Sequence, residues 1–496
     1  MYRNQYLVTT NTAERFHSFV PFTFCGLSVF SDCTLPVHQS SNDRHCLLLL
    51  GFALDPENHT HSNQTIANEL LLSCDESSSL FTHLERIGGR FVILVGDVGP
   101  QGSSLKKIIG DACSLRQMHY GHRDGYFYLT SSIKMFLDYI NDQVQVRNEK
   151  AIFMNHSQFA WNDHGWYCDE EPDDRLKRLL PNHYFDYASN RVFRIPFQSL
   201  DDKLRSSDVY DICTSVLKGT YKALLNRYAL LQPLTAGMDS RMLLASTREF
   251  VKELQFYIFD FERADRRMDI YIAAQIAKEN HLNFRILRTQ QLTDTFRDEY
   301  KKEHVFPRLN AGTRGIQYHY FNHRTGKFIN MNGNCGEILR SYLGFCKGKI
   351  SRHRMYYYTR YSEEFPFLRA AIENWYDEAV NAIRDTYVSI LDLFYWELKM
   401  GVWGAQYPFE QDIAMEECSP FNNKRLLLTF MSIPATLRRK PALKAPKEWV
   451  EHMWPGLSKY AINPWPPSRI KRWVFNKIYS DSRLVYYFFR YRHLLS

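Results

Sequence analysis

The chain has 496 residues, 45% hydrophobic and 15% aromatic, with 10 cysteines and a formal net charge of +8. That length and apolar content provide for two or three domains with large cores and exclude a disordered chain. The cysteines show no CxxC pair and no metal-type spacing, so they read as reduced core thiols of a cytoplasmic protein rather than a disulfide framework. The N-terminal stretch "MYRNQYLVTTNTAERFHSF" has no apolar signal core, and the longest apolar run, "CLLLLGFAL", is far shorter than the roughly 20 residues that span a bilayer. No transmembrane segment is expected.

In chain order, short segments of strand character come first: "CLLLLGFAL", "RFVILVGDV", "LKKIIGDA" and "MHYGHRDGYFYLTSS", separated by Gly, Asp, Asn and Ser clusters. They predict an antiparallel sheet domain. The chain divides near Phe197–Asp202, "FQSLDD", giving expected domains over 1–200 and 201–496. Beyond the boundary, "DVYDICTSVLKGTYKALLNRY" reads as a helix, "ALLQPL" as a strand and "SRMLLASTREFV" as a helix. "LQFYIFDF" then reads as a strand, "ADRRMDIYIAAQIAKENH" as a helix and "LNFRIL" as a strand. This alternation predicts right-handed βαβ units and a parallel sheet. From about Leu368 to Lys440 the pattern is mainly helical.

The positive charge is concentrated at the end, with 13 Lys/Arg against 3 Asp/Glu from Thr436 to Ser496. Such a segment can meet nucleic acid or anionic lipid, or face water beside an anionic substrate. No recognition motif accompanies the charge, so no specific nucleic-acid partner is expected. In "RIKRWVFNKIYSDSRLVYYFFRYRHLLS", apolar residues fill almost every position from Leu484 to Phe489 without a helical stripe. That pattern predicts a docked C-terminus; the competing reading is a membrane-surface segment.

The stretch richest in chemistry is "LLQPLTAGMDSRMLLAS", Leu230 to Ser246, where a strand hands over to a helix. In an open parallel sheet, ligands sit beyond the carboxyl ends of the strands. Thr235, Ala236 and Gly237 have small side chains, so their N–H groups can surround a phosphate, and the N-terminus of the helix starting near Ser240 adds its unpaired N–H groups and partial positive charge. Asp239 would repel a bare phosphate and makes sense as the ligand of a cation, Mg²⁺, that bridges phosphates. The Gly-Lys-Ser/Thr of the better-known nucleotide loop is missing. The same residues could instead cap the helix through Asp239 or Ser240.

"LTAGMDSR" resembles the pyrophosphate-binding loop, Ser-Gly-Gly-x-Asp-Ser, of the asparagine synthetases and their relatives, the ATP pyrophosphatases that adenylate a carboxylate. Other segments follow in family order. "GGRFVILVGDVGPQGSSLKKIIGDACSLRQMHYGHRDGYFYLTSSIKMFLD" is similar to the second half of that family's N-terminal domain. "LKRLLPNHYFDYASNRV" is similar to its "IKRLPPGHYL", "NMNGNCGEILRSYLG" to its second loop, Ser-Gly-Glu-Gly-Ala-Asp-Glu, and "SPFNNKRLLLTFMSIP" to its "VPFLDxxLVEFAxxIP".

The resemblance implies an Ntn-hydrolase-like αββα sandwich, the glutaminase fold, followed by a parallel-sheet PP-loop ATP pyrophosphatase domain with a helical C-terminal part. It implies ATP and Mg²⁺ as cofactors and a small-molecule or peptide carboxylate that is adenylated and passed to ammonia or an amine. Thr235, Ala236, Gly237, Met238, Asp239, Ser240 and Gly333 fall on cofactor-binding positions. Asp239 and Glu337 fall on metal-binding acids, and Asn334 and Lys459 on catalytic positions, with an ordinary surface lysine as the other reading of Lys459. A homodimer is among the assemblies that fit.

The departures matter equally. The family's glutaminase uses Cys as the first residue, with its α-amine as local base. Here the chain opens Met1-Tyr2, and "FCGLSVF" places the first cysteine at Cys25. The glutamine-holding "NGEIYN" is replaced by "LLGFALD", which reads as a buried core strand. The N-terminal domain is therefore expected to keep the fold without glutaminase activity. Asn334 stands where the family has Glu. Two classes of function remain: an ATP-dependent amide-forming ligase, asparagine synthetase-like and not glutamine-hydrolysing, and a catalytically silent relative whose nucleotide site regulates or scaffolds. Arg241, Arg266 and Arg267 are candidates to bind an acidic substrate group.

Overall fold

A computed structural model describes residues 2–464 apart from 13–15, 17–18, 20, 157–158, 160–163, 198–203, 264–265, 324–326, 345–349 and 360–364. Most of the expected boundary at Phe197–Asp202 and the whole basic tail from Arg469 lie outside these residues. Up to Arg194 the strands are β1 (Tyr6–Thr9), β2 (Phe22–Phe24), β3 (Leu27–Ser31), β4 (Val37–Ser41), β5 (His45–Leu54), β6 (Gly88–Gly99), β7 (Gly102–Gly110), β8 (His119–Arg123), β9 (Tyr126–Thr130), β10 (Leu176–Arg178), β11 (His183–Asp186) and β12 (Arg191–Arg194). They form two six-stranded antiparallel sheets, ordered β10-β8-β9-β1-β3-β2 and β12-β11-β7-β6-β5-β4.

The strand sequences explain the layering. β5 is apolar at almost every position because both of its faces are covered. Leu48 and Leu50 join Val92, Leu94, Val8 and Val29 in a core between the sheets. Leu47 and Leu49 pack outward with Ile66, Leu70, Leu80 and Phe81 of the helices Asn63–Leu72 and Ser77–Arg86. On the far side, Leu7, Phe30 and Tyr128 pack against Met135 and Phe136 of the helix Ile133–Tyr139. The layers run helix, sheet, sheet, helix. The expected "RDGY" turn closes the β8–β9 hairpin, with Asp124 at φ 52° and Gly125 at φ 80°, the positive angles that a tight hairpin turn demands.

From Ala229 on, β13 (Ala229–Pro233), β14 (Leu254–Asp260), β15 (Phe284–Arg288), β16 (Phe328–Met331) and β17 (Glu416–Cys418) build an all-parallel sheet ordered β15-β14-β13-β16-β17. The expected helices appear at Ser206–Leu225, Met238–Ser246 and Arg267–Glu279, the second shorter than its apolar pattern. The segment from Leu368 to Lys440 is mainly helical, but it contributes β17, an edge strand that pairs with β16. Its sequence, "EEC", has no apolar run to mark it. No described helix is long and apolar enough to cross a membrane.

Candidate functional site

Chain order in the parallel sheet reverses between β13 and β16, since β14 and β15 build to one side and β17 to the other. A crevice opens where order reverses, beyond the carboxyl ends of the strands. The two loops that leave those strands there are Leu234–Gly237 and Asn332–Cys335. They are the two loops singled out from the sequence, and they touch. A Cβ on Gly333 would lie 3.0 Å from Asp239 Cβ, and one on Gly336 would lie 2.9 Å from Asp239 Oδ1. Glycines at both positions let the second loop close on Asp239.

The structure brings Asp239 and Glu337 to one guanidinium. Arg340 Nε donates to Asp239 Oδ1 at 2.7 Å and Nη2 to Oδ2 at 2.8 Å, while Nη2 lies 3.5 Å from Glu337 Oε1. Planar bidentate pairing of this kind is the strong form of an ion pair. Burial opposes the charge on Arg340, but Asp239 and then Glu337 outweigh it and hold the guanidinium protonated. Burial and the neighbouring Asp239 push the Glu337 carboxyl up to about 7, with Arg340 opposing. Glu337 Oε2 is buried and has no hydrogen-bond partner. Two carboxylates against one guanidinium leave the cluster short of positive charge. Lys440 is in electrostatic reach; burial and Arg340 lower its pKa, and Asp239 raises it.

The pyrophosphate-type loop differs from expectation. The N–H groups of Thr235, Ala236 and Gly237, expected to surround a phosphate, are engaged by the protein: Thr235 N–H donates to Ser240 Oγ at 2.9 Å, Ala236 N–H to Asp269 Oδ1 at 2.5 Å and Gly237 N–H to Thr235 Oγ1 at 3.1 Å. Small residues here leave room for side chains to cap the backbone. Asp239 and Ser240 do not cap the helix: Gly237 is its N-cap, without a side-chain bond. The N–H groups of Met238, Asp239 and Ser240 are those of the first helical turn, which has no intrahelical acceptors.

Asn334 is tied into the protein. Its N–H donates to Asn332 Oδ1 at 3.0 Å, its Nδ2 donates to Gly404 O at 3.2 Å, and its carbonyl accepts from Ser419 Oγ. It shapes the second loop and spends its amide N–H on the backbone. Lys459 lies elsewhere: its side chain is 61% exposed and its Nζ is 2.9 Å from Glu279 Oε2. The segment around it does reach the first loop, through backbone. Asn463 N–H donates to Ala236 O at 2.9 Å, and the carbonyls of Leu457 and Tyr460 accept from Arg241 Nη1. Arg241 is fully buried, and burial pulls its pKa down to about 10.

Sequence reasoning missed Arg340, Lys440 and Asp269. Arg340 stands three residues after Glu337, one helical turn on, which is the only sequence signal for it.

Cys25 sits in the turn between β2 and β3 with its thiol against that of Cys46, and "LLGFALD" is the buried end of β5. The nine described cysteines are all free thiols.

No family model matches the chain, and no curated protein matches it. Among solved structures it is similar to a glutamine phosphoribosylpyrophosphate amidotransferase from B. subtilis complexed with ADP and GMP, at 10% identity and TM-score 0.22, over 74% of this chain and 73% of that one. It is similar to a glutamine-dependent NAD+ synthetase from Acinetobacter baumannii in complex with ADP, at 11% identity and TM-score 0.23, over 64% and 78%. A third, described as the allosteric regulatory enzyme of purine biosynthesis, aligns at 9% identity and TM-score 0.22, over 58% and 74%. Likeness at this level identifies neither an activity nor a substrate for this chain.

Proposed function

We propose that this chain is an ATP-dependent carbon–nitrogen ligase of asparagine synthetase-like type, which adenylates a carboxylate and passes it to ammonia or an amine. The observation that carries the reading is the meeting of Asp239 and Glu337 at the point where strand order reverses, on the two loops that resemble the family's. The acidic pair fits a divalent cation: Glu337 Oε2 is a buried ligand atom without a partner. Asp239 and Glu337 would hold Mg²⁺, which when bound neutralises phosphate charge as pyrophosphate leaves. Arg340 exchanges Asp239 for phosphate oxygens, and Lys440 adds a second positive charge at the same place. First-turn N–H groups of Met238–Ser240 face developing negative charge. Nitrogen comes as free ammonia or a substrate amine, because the Cys25 thiol is engaged with Cys46 and a buried strand stands where the family holds glutamine.

A second reading, the silent relative, is favoured by Arg340. A guanidinium that satisfies Asp239 gives an inactive chain a structural reason to retain the acids. Pyrophosphate exchange with purified protein, Mg·ATP and panels of carboxylates separates the two. The ligase reading expects exchange with at least one carboxylate and its loss to background in Asp239→Ala with unchanged circular dichroism. Nucleotide binding by calorimetry with no exchange across the panel supports the silent relative; neither binding nor exchange sinks the ligase.

A further inference from the structure

The turn between β2 and β3 holds Cys25 in a left-handed conformation, φ 50°. Its Sγ lies 3.2 Å from Sγ of Cys46, near the start of β5. β2 and β3 belong to one sheet of the sandwich and β5 to the other, so the two sulfurs meet across the inter-sheet core. The neighbouring strand makes space for both. Gly96 on β6 pairs with Cys46, and a Cβ there would lie 2.3 Å from Cys25 Sγ and 3.0 Å from Cys46 Sγ. A strand interior disfavours glycine unless something approaches closely; here it is the two thiols together with Ser104 O, 2.9 Å from the same Cβ, at an irregularity in the pairing of β6 with β7. Cys25 is partly exposed while Cys46 is buried, so solvent reaches the pair from the turn.

We propose that Cys25 and Cys46 form a thiol–disulfide modification site that reacts with hydroperoxides and staples the two sheets together. One thiolate attacks the peroxide, giving a sulfenic acid and hydroxide, which takes up a proton to leave as water. The neighbouring thiol then attacks the sulfenic sulfur, forms the S–S bond and releases a second water. The two thiols together lose two electrons and two protons, and the peroxide O–O bond is reduced. The hydrogen bond between the thiols divides them for this purpose, since it pulls the Cys46 pKa down and pushes that of Cys25 up. Thiolate character and a resolving neighbour are what such chemistry requires. Closure from the observed contact to a bond of about 2.05 Å needs a shift of roughly an ångström, which the turn that carries Cys25 can supply.

The test uses the full-length protein, treated with hydrogen peroxide, blocked with iodoacetamide and digested without reduction. The expected result is a peptide that joins Cys25 to Cys46, lighter than the free pair by two hydrogens and released by dithiothreitol, with a higher unfolding temperature for the oxidised chain. Cys33, which is exposed, is the internal reference. Recovery of Cys25 and Cys46 as alkylated free thiols at doses that oxidise Cys33 overturns the proposal, as does a link from Cys25 to Cys33. The unsubstituted chain gives this map directly; Cys25→Ser and Cys46→Ser, tested separately, must each abolish the linked peptide.

Discussion

Two buried clusters in this molecule use the same ingredients and reach opposite balances. Where the sandwich meets the parallel sheet, Arg90 donates to both oxygens of Asp412 at 2.6 and 2.7 Å and to Glu416 at 2.6 Å, and Arg116 donates to Glu416 at 2.7 Å. Two cations meet two anions, and all four carboxylate oxygens are engaged, although Arg116 Nε is buried without a hydrogen-bond partner. The backbone joins in, because Arg90 Nε also donates to Leu115 O and Arg116 Nη1 to Asn4 O. At the crevice, one guanidinium faces two carboxylates and Glu337 Oε2 is left without a partner. A closed cluster fixes one geometry. An open one retains a place for another charge, and that difference separates a structural ion network from a site.

The largest expected effect comes from breaking the closed cluster. Arg90→Met strips Asp412 of its bidentate partner and leaves a buried carboxylate that burial already pushes up to about 6. Removal of one partner of a buried pair costs about 3–5 kcal/mol. Denaturant unfolding should show that loss with no recovery on added nucleotide. A change below about 1 kcal/mol would mean that the network is not what holds the two regions together.

Next comes the contact that assembles the open cluster. Gly336→Ala places a methyl 2.9 Å from Asp239 Oδ1, and Asp239 cannot yield without abandoning Arg340. Overpacking of this kind costs about 1–3 kcal/mol. The expected pattern is that modest cost together with loss of Mg·ATP affinity by calorimetry, whereas Gly99→Ala, where a Cβ meets nothing closer than 3.7 Å, should leave affinity intact.

The contrast also marks what a linear reading can reach. Strands such as β5 and β6 announce themselves as long apolar runs, and the alternation from Ser206 to Arg288 gives the parallel units directly. β17 does not, because it is three residues long and carries two glutamates that are satisfied only in three dimensions: Glu416 by Arg90 and Arg116, Glu417 by Asn330 and Asn332. Asp239 was legible because an acid among small residues at a strand-to-helix turn is unusual, and Glu337 only through the resemblance of its loop to the second loop of the asparagine synthetases. Arg340 was not, since an arginine on a short helix looks like any solvated cation until its distance to Asp239 is known. Lys440 was hidden for the same reason in a basic segment. Thr235, Ala236 and Gly237 were nominated for their N–H donors, but Ser240, Asp269 and Thr235 itself take up those groups, which no pattern of small residues discloses.

The open cluster has a pH signature at higher pH than the closed one, whose Asp412, pushed up to about 6, titrates in the same sense below it. Glu337 is held up to about 7, whereas an unfolded glutamate titrates at about 4.3. Between those values the folded chain keeps a proton that the unfolded chain gives up, so this group's contribution to stability falls as pH rises through the window and is fully lost above it. Glu337→Gln removes the titration. The variant is expected to be more stable than the parent by about 1–3 kcal/mol at pH 8, with the gap closed near pH 4. Equal gaps at both pH values would show that Glu337 is ionised throughout, held by Arg340.

The smallest effect is expected at Lys459, the lysine that the sequence nominated. Its ammonium is engaged by Glu279 on the helix Arg267–Glu279, in a pair open to water on both sides. Exposed pairs of this kind contribute little because water screens them and ordering two long side chains costs entropy. What the site takes from this segment is backbone: Asn463 N–H on Ala236 O, and the carbonyls of Leu457 and Tyr460 on Arg241. Lys459→Ala should therefore leave pyrophosphate exchange and the unfolding midpoint unchanged within error. Asn463→Pro deletes the donor to Ala236 and, because proline cannot hold the φ of 44° found there, also displaces the segment, so it should weaken nucleotide affinity. A loss of about 100-fold or more in exchange from Lys459→Ala, of the size removal of a group acting in proton transfer produces, would return that lysine to the chemistry. It would also require the segment to swing away from Glu279 when substrate binds.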